Sequence, residues 1–138
     1  MNKYFIAFMV SISVFMLQVA AQTKADKNAA AMSFEVTSHD FGNIKYADSA
    51  FWLFKYKNTG KEPLTISTAQ ASCGCTTPIW TREPVKKGKY GIIKVQYNTQ
   101  IVGAFQKTVT VRSNAANSPI VLTIKGVVKP KEEQSKTN

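Results

Sequence analysis

The chain is poor in the residues from which catalytic centres are built. Its 138 residues include one histidine, two cysteines and eight carboxylates. That is too little material for an elaborate metal site or a carboxylate-dense active centre. A nucleophile elbow, a phosphate-cradling glycine loop and a metal-binding His-Glu helix are all missing. The carboxylates Glu35, Asp40, Asp48, Glu62 and Glu83 are scattered, and His39 beside Asp40 would point to the opposite face of a strand, a poor arrangement for a proton relay. Helical periodicity is missing too: between Ser33 and Val128 no stretch repeats apolar residues at i, i+3, i+4 and i+7 over three turns. These absences speak against an enzyme and call for no cofactor. Disorder is excluded by what is present, since hydrophobic residues make up 44% of the chain and aromatics 11%.

Residues 1–21 carry the pattern of a secretory signal. Lys3 supplies a short positive start, Tyr4 to Val19 is apolar apart from Ser11, Ser13 and Gln18, and Val19-Ala20-Ala21 offers small residues for cleavage after Ala21. The apolar run is shorter than the roughly 20 residues a membrane span needs, so no transmembrane segment is expected after its removal. The expected destination is the periplasm or the cell exterior. The remaining chain has 17 basic and 8 acidic residues, a net +9. Residues 22–32 (QTKADKNAAAM) show neither alternation nor a cap and are expected to form a flexible tether; residues 129–138 (KPKEEQSKTN) are expected to be a polar, disordered tail. That leaves residues 33–128 as one folded domain.

Within it, two-residue alternation is abundant. Trp52, Phe54 and Tyr56 alternate with Leu53, Lys55 and Lys57, and Ile93, Val95 and Tyr97 alternate with Lys94 and Gln96. Phe105, Val109 and Val111 face one way while Thr108, Thr110 and Arg112 face the other, and Ile120, Leu122 and Ile124 repeat the pattern. With Phe34-Glu-Val36, Leu64-Thr-Ile66-Ser and a short piece near Ile79-Trp80, seven strands are expected, separated by turns such as Asn58-Thr-Gly60, Lys87-Gly88 and Asn114 to Pro119. Sheets with one apolar face and no helix to cover it must cover each other, so the expected fold is an all-β, seven-stranded immunoglobulin-like antiparallel sandwich; a small closed barrel is the alternative. Both cysteines lie within three residues, so no disulfide can join the two sheets and packing alone must hold the core.

The order of motifs is distinctive: His39-Asp-Phe41-Gly42, Phe54-Lys-Tyr56-Lys-Asn58-Thr-Gly60, Pro63-Leu64-Thr-Ile66, Ser72-Cys73-Gly74-Cys75-Thr76, a Lys87-Gly88 turn and Ser113-Asn114. In this order they resemble the secreted Bacteroidetes immunoglobulin-like family called domain of unknown function fifteen-seventy-three, related to Hydin-like and major-sperm-protein-like immunoglobulin domains. The resemblance covers nearly all of Ser33 to Val128. It implies a seven-stranded sandwich in an exported protein and brings no catalytic residues with it.

Cys73 and Cys75 admit three readings. Residues i and i+2 of a strand lie roughly 6.6 Å apart, so a disulfide closes only if the chain bends at Gly74, and so small a ring would be readily reduced. Two thiolates could instead clip a soft ion such as Cu(I), with only the distant His39 to assist. The third reading is a pair that merely shapes its loop. Lysines fall on outward strand positions (Lys55, Lys57, Lys94, Lys125) and in turns, which keeps edges soluble and also suits an anionic partner. Nucleic acid is not expected, on grounds of compartment. Phe51 and Leu53 stand opposite Trp52 and Phe54, so that strand is apolar on both sides. Either another segment covers Phe51 and Leu53, or they form an interaction surface with Lys55 and Lys57. The function expected is that of a non-enzymatic interaction or structural module of the cell envelope, whose partner is an envelope protein or an anionic glycan. Two alternatives stand beside it: a thiol-redox or Cu(I)-handling protein centred on Cys73 and Cys75, and a weak binder of anionic glycans or glycolipid headgroups.

Overall fold

Alternation sets the strands. In Phe51–Asn58 the side chains of Phe54, Tyr56 and Asn58 are buried while Phe51, Leu53 and Lys55 are exposed, the signature of a strand covered on one face. The computed structural model describes residues 26–132 and contains eight such strands: β1 (Met32–Phe34), β2 (Ser38–Ile44), β3 (Phe51–Asn58), β4 (Ile66–Ala71), β5 (Thr76–Trp80), β6 (Tyr90–Tyr97), β7 (Gly103–Ser113) and β8 (Ile120–Val128). They form two four-stranded sheets, β1-β3-β6-β5 and β2-β8-β7-β4. Among the described residues no helix is long and apolar enough to cross a membrane.

The inner faces meet in one core. Phe54, Tyr56, Ile93 and Val95 come from the first sheet and Val109, Val111, Leu122 and Ile124 from the second, all essentially inaccessible to solvent. Tyr97 of β6 stacks on Phe105 of β7 with ring centroids 3.6 Å apart, joining the layers directly. Opposite Tyr56 stands Gly91, and a Cβ there would collide with the tyrosine ring. Burial of side chains this large contributes about 1.5–3 kcal/mol each before entropy is subtracted.

The strand count is eight rather than seven, and β2 is the addition. Its residues lack a clean apolar alternation because it is an edge strand interrupted between Asp40 and Asn43. Gly42 has φ 64°, and its N–H donates to Asp40 Oδ1 at 2.8 Å. This strand pairs with β8 in parallel, so the second sheet is mixed rather than purely antiparallel. Trp52 also departs from expectation: it is 37% exposed and stacks on His39 instead of lying in the core. The expected tether is docked over its described part. Met32 opens β1 and is 3% exposed, Ala30 is buried, and Ala116 N–H donates to the Ala30 carbonyl at 2.8 Å. Small alanines hide this segment from a hydrophobicity pattern, yet they are what lets it lie close against the turns. The expected signal segment (residues 1–21), residues 22–25 and the tail beyond 132 lie outside the described residues.

Asn58 ties one end of the sandwich together. It is fully buried, and its Nδ2 donates to the carbonyls of Glu62 and Val85, both at 2.8 Å. Its Oδ1 accepts from Gly60 N–H at 2.9 Å and from Ala31 N–H at 3.4 Å. One amide thus serves the turn after β3, the Val85 loop and the docked N-terminal segment. Asn58→Ala leaves these groups unpaired and should cost about 3 kcal/mol in urea unfolding. Asn58→Asp should cost at least as much, since it turns a carboxylate toward two carbonyl oxygens; a loss below 1 kcal/mol in both would show that the amide is dispensable.

Candidate functional site

Because side chains alternate along a strand, the covered face of the first sheet implies an opposite one. That outer face collects Phe51, Leu53, Lys55 and Lys57 from β3. The register sets Lys57 opposite Tyr90, Lys55 opposite Ile92, Leu53 opposite Lys94 and Phe51 opposite Gln96. On the other side of β6, Lys94 faces Ile79 and Gln96 faces Thr77. Phe51, Leu53, Tyr90 and Ile92 are exposed, and Ile79 is 58% exposed. The ammonium groups are organised by the rings: Lys55 Nζ lies 4.4 Å from the Tyr90 centroid and Lys94 Nζ 4.4 Å from that of Phe51, with Lys57 at 5.6 Å from Tyr90. Lys55 also meets Glu35 at 3.3 Å. The outer face of the second sheet differs, with Gln70, Thr108, Thr110, Thr123 and Lys125 on it alongside an exposed Val121.

All four surface residues singled out from the sequence therefore share one face. Those missed were Tyr90, Ile92, Lys94 as their neighbour, and Ile79. The alternation of Tyr90 and Ile92 against Gly91 and Ile93 was a signal that could have placed them outward.

The second feature is the loop joining β4 to β5. Cys73 and Cys75 are disulfide-bonded across Gly74, with Cα atoms 5.3 Å apart, so the chain bends where an extended strand would hold them farther apart. Cys75 N–H donates to Cys73 Sγ at 3.2 Å. The buried Thr76 hydroxyl lies 3.7 Å from Cys73 Sγ and 3.8 Å from Cys75 Sγ. Beside the loop opens a cleft of about 540 Å³ lined by Gly74, Cys75, Thr77, Gln96, Tyr97 and the segments 47–49 and 98–100. Its walls are polar, and Thr99 holds Asp48 through a hydroxyl bond of 2.6 Å to the Asp48 carbonyl. Gln96 and Thr77 belong both to the cleft and to the apolar-basic face.

His39 is placed away from the cysteines, on β2 at one edge of the second sheet, while their loop follows β4 at the other edge. It stacks on Trp52 at 3.6 Å and meets Phe41 edge-on at 4.6 Å. Burial pushes its pKa below the ordinary imidazole value, against the pull of Asp40. Asp40 itself is held below the usual carboxylate range, first by the Gly42 N–H and then by Lys125, whose ammonium is 3.5 Å away. Among the described residues no group of three or more His, Cys, Asp or Glu side chains is gathered to hold a metal. Trp80, another residue the sequence did not single out, packs under the Arg82 guanidinium at 3.8 Å.

Eight strands in two sheets, with the β2 edge strand running parallel to the last strand, define an immunoglobulin-like sandwich. The chain belongs to the family described as protein of unknown function (DUF1573), whose profile matches residues 32–128. Among solved structures it is similar to a protein of unknown function from Porphyromonas gingivalis W83, at 14% identity and TM-score 0.65, covering 71% of this chain and 46% of that one. It is also similar to PapD-like domain 7 of human CEP192, at 9% identity and TM-score 0.60, covering 83% of this chain and 94% of that one. A third likeness, at 9% identity and TM-score 0.54, is to the secreted serine protease VesC from Vibrio cholerae, covering 71% of this chain and 23% of that one. Identities this low speak for the fold alone. No curated protein matches the chain.

Because the folded-state pKa of His39 is depressed, its contribution to stability is full above about pH 6.5 and is lost as pH falls through the folded value. Unfolding free energy measured between pH 8 and pH 5 should therefore decline modestly, and His39→Gln should flatten that slope; an unchanged slope would assign it to other groups.

Proposed function

We propose that this is an exported, non-enzymatic module of the cell envelope that binds another protein through the outer face of β1-β3-β6-β5. The observation that carries the reading is the set of five exposed large apolar side chains, Phe51, Leu53, Ile79, Tyr90 and Ile92, interleaved with Lys55, Lys57 and Lys94 on one sheet. Contiguous apolar surface on a folded domain marks an interaction site, and aromatic anchors with cations at their borders are the composition of binding hot spots. The basic border calls for acidic residues around the partner's apolar contact, which would raise the association rate and fix orientation. A second copy of the same face would set lysines against lysines. The signal pattern of residues 1–21 supports export, to the periplasm or beyond, and a disulfide suits an oxidising compartment. The scattered carboxylates and the position of His39 support a role without catalysis.

An anionic glycan is the second reading, supported by the net +9 of the chain after residues 1–21. Such a ligand would use the lysines and leave Leu53, Ile79 and Ile92 idle.

A photo-crosslinking residue placed at Leu53 in the native host should give a discrete protein adduct from the envelope, while one at Val121 on the opposite face should not. Equal labelling from both positions, or none from either, would contradict the assignment of this face. Retention on heparin that persists at moderate salt and is indifferent to Leu53→Ser would favour the glycan instead.

A further inference from the structure

The Cys73–Cys75 bridge is badly placed to be a staple. It encloses one residue, so opening it releases little chain entropy. Its flanks are held without it: Ser72 N–H donates to the Thr108 carbonyl at 2.9 Å and Asn98 N–H to the Cys75 carbonyl at 2.8 Å, while Thr108 N–H donates to Ser72 Oγ at 3.2 Å. The loop is also open. Nothing lies within 4 Å of where a Cβ on Gly74 would stand, and Cys75 lines the cleft. Both cysteines are half-buried, Cys75 touching the core on one side and the cleft on the other, and bridges that hold little together are the ones that exchange.

We propose that this bridge is a thiol–disulfide exchange site whose substrate is a dithiol on a peptide or protein admitted to the cleft. The surroundings assign the two sulfurs different roles. Cys75, which lines the cleft, receives the attack of a substrate thiolate at its Sγ. The sulfur–sulfur bond breaks and its electron pair leaves on Cys73 Sγ. That sulfur already accepts the Cys75 N–H at 3.2 Å and lies 3.7 Å from the Thr76 hydroxyl, and donors to a developing thiolate stabilise it. The substrate's second thiolate then attacks the substrate sulfur of the mixed disulfide and expels Cys75 as thiolate. The two protons given up by the substrate thiols end on Cys73 and Cys75. In sum the bridge gains two electrons and two protons, and the substrate dithiol becomes a disulfide. The donors around Cys73 make it the leaving group, and Thr76 acts as a positioning residue between the two sulfurs.

The test uses the exported full chain, equilibrated with mixtures of reduced and oxidised glutathione, quenched by alkylation and read by mass. The bridge should open and close reversibly, with the thermal unfolding midpoint of the reduced form within about 3 °C of the oxidised form. In single-cysteine variants, the Cys73 left by Cys75→Ser should reach half its maximal alkylation rate at a lower pH than the Cys75 left by Cys73→Ser, as expected of the stabilised leaving group. Thr76→Val should slow opening about tenfold, and Thr76→Ser should restore it. A bridge untouched by glutathione, whose forced reduction lowers the midpoint by about 10 °C or more, would be a structural staple and would overturn the proposal. The same alkylation pH profile for the two single-cysteine variants, or a Cys75 that ionises at the lower pH, would overturn it as well.

Discussion

Among the described residues two amphipathic sheets have no helix to cover them, so each must bury its apolar side against the other. Everything else follows from that constraint. No covalent link spans the layers, and the contacts that do, such as Tyr97 against Phe105, are packing contacts. The side chain of Asn58 enters the interior fully served, by two carbonyls and two N–H groups, whereas the buried Trp80 Nε1 has no hydrogen-bond partner. Since the inner faces suffice to hold the layers, the outer faces are free of structural duty. What stands on them can be read as function.

Those outer faces are unequal. One sheet turns threonine and glutamine outward; the other turns out Phe51, Leu53, Ile79, Tyr90 and Ile92 among lysines. Leaving that much apolar surface in water gains the isolated domain nothing, and a sheet of this kind also invites wrong partners. Lysines lying over Tyr90 and Phe51 temper that risk, covering ring faces with their stems while keeping charge at the boundary. The disulfide loop sits where this face meets the polar cleft, through Gln96 and Thr77. The proposed docking surface and the proposed exchange loop thus adjoin one another.

The sequence made the central strands legible because β3, β6, β7 and β8 keep a strict two-residue period over long runs. It concealed β2, whose short, bulged path around Gly42 breaks the period. It also concealed the docked segment before β1, where alanines carry no pattern and Asn117 supplies the partner by holding Met32 through both backbone groups. Trp52 misled, since alternation places it inward while its position near the start of β3 leaves it partly exposed and stacked on His39. Half of the candidate face, Phe51 to Lys57, lay on one strand and could be read from it. The other half needed the register between β3, β6 and β5, which no local pattern reveals. The cleft beside Cys75 is assembled from segments around residues 48, 75 and 99, brought together only by folding.

The most direct test of this account asks whether the outer face of the first sheet is bare in the free protein. A soluble paramagnetic probe added to the methyl-labelled domain reports exposure residue by residue. The methyls of Leu53, Ile79 and Ile92 should broaden strongly while those of Ile93, Val95 and Leu122 stay sharp. Outer-face methyls as protected as the core ones would mean that the chain covers this sheet with its own residues, and the account would fall.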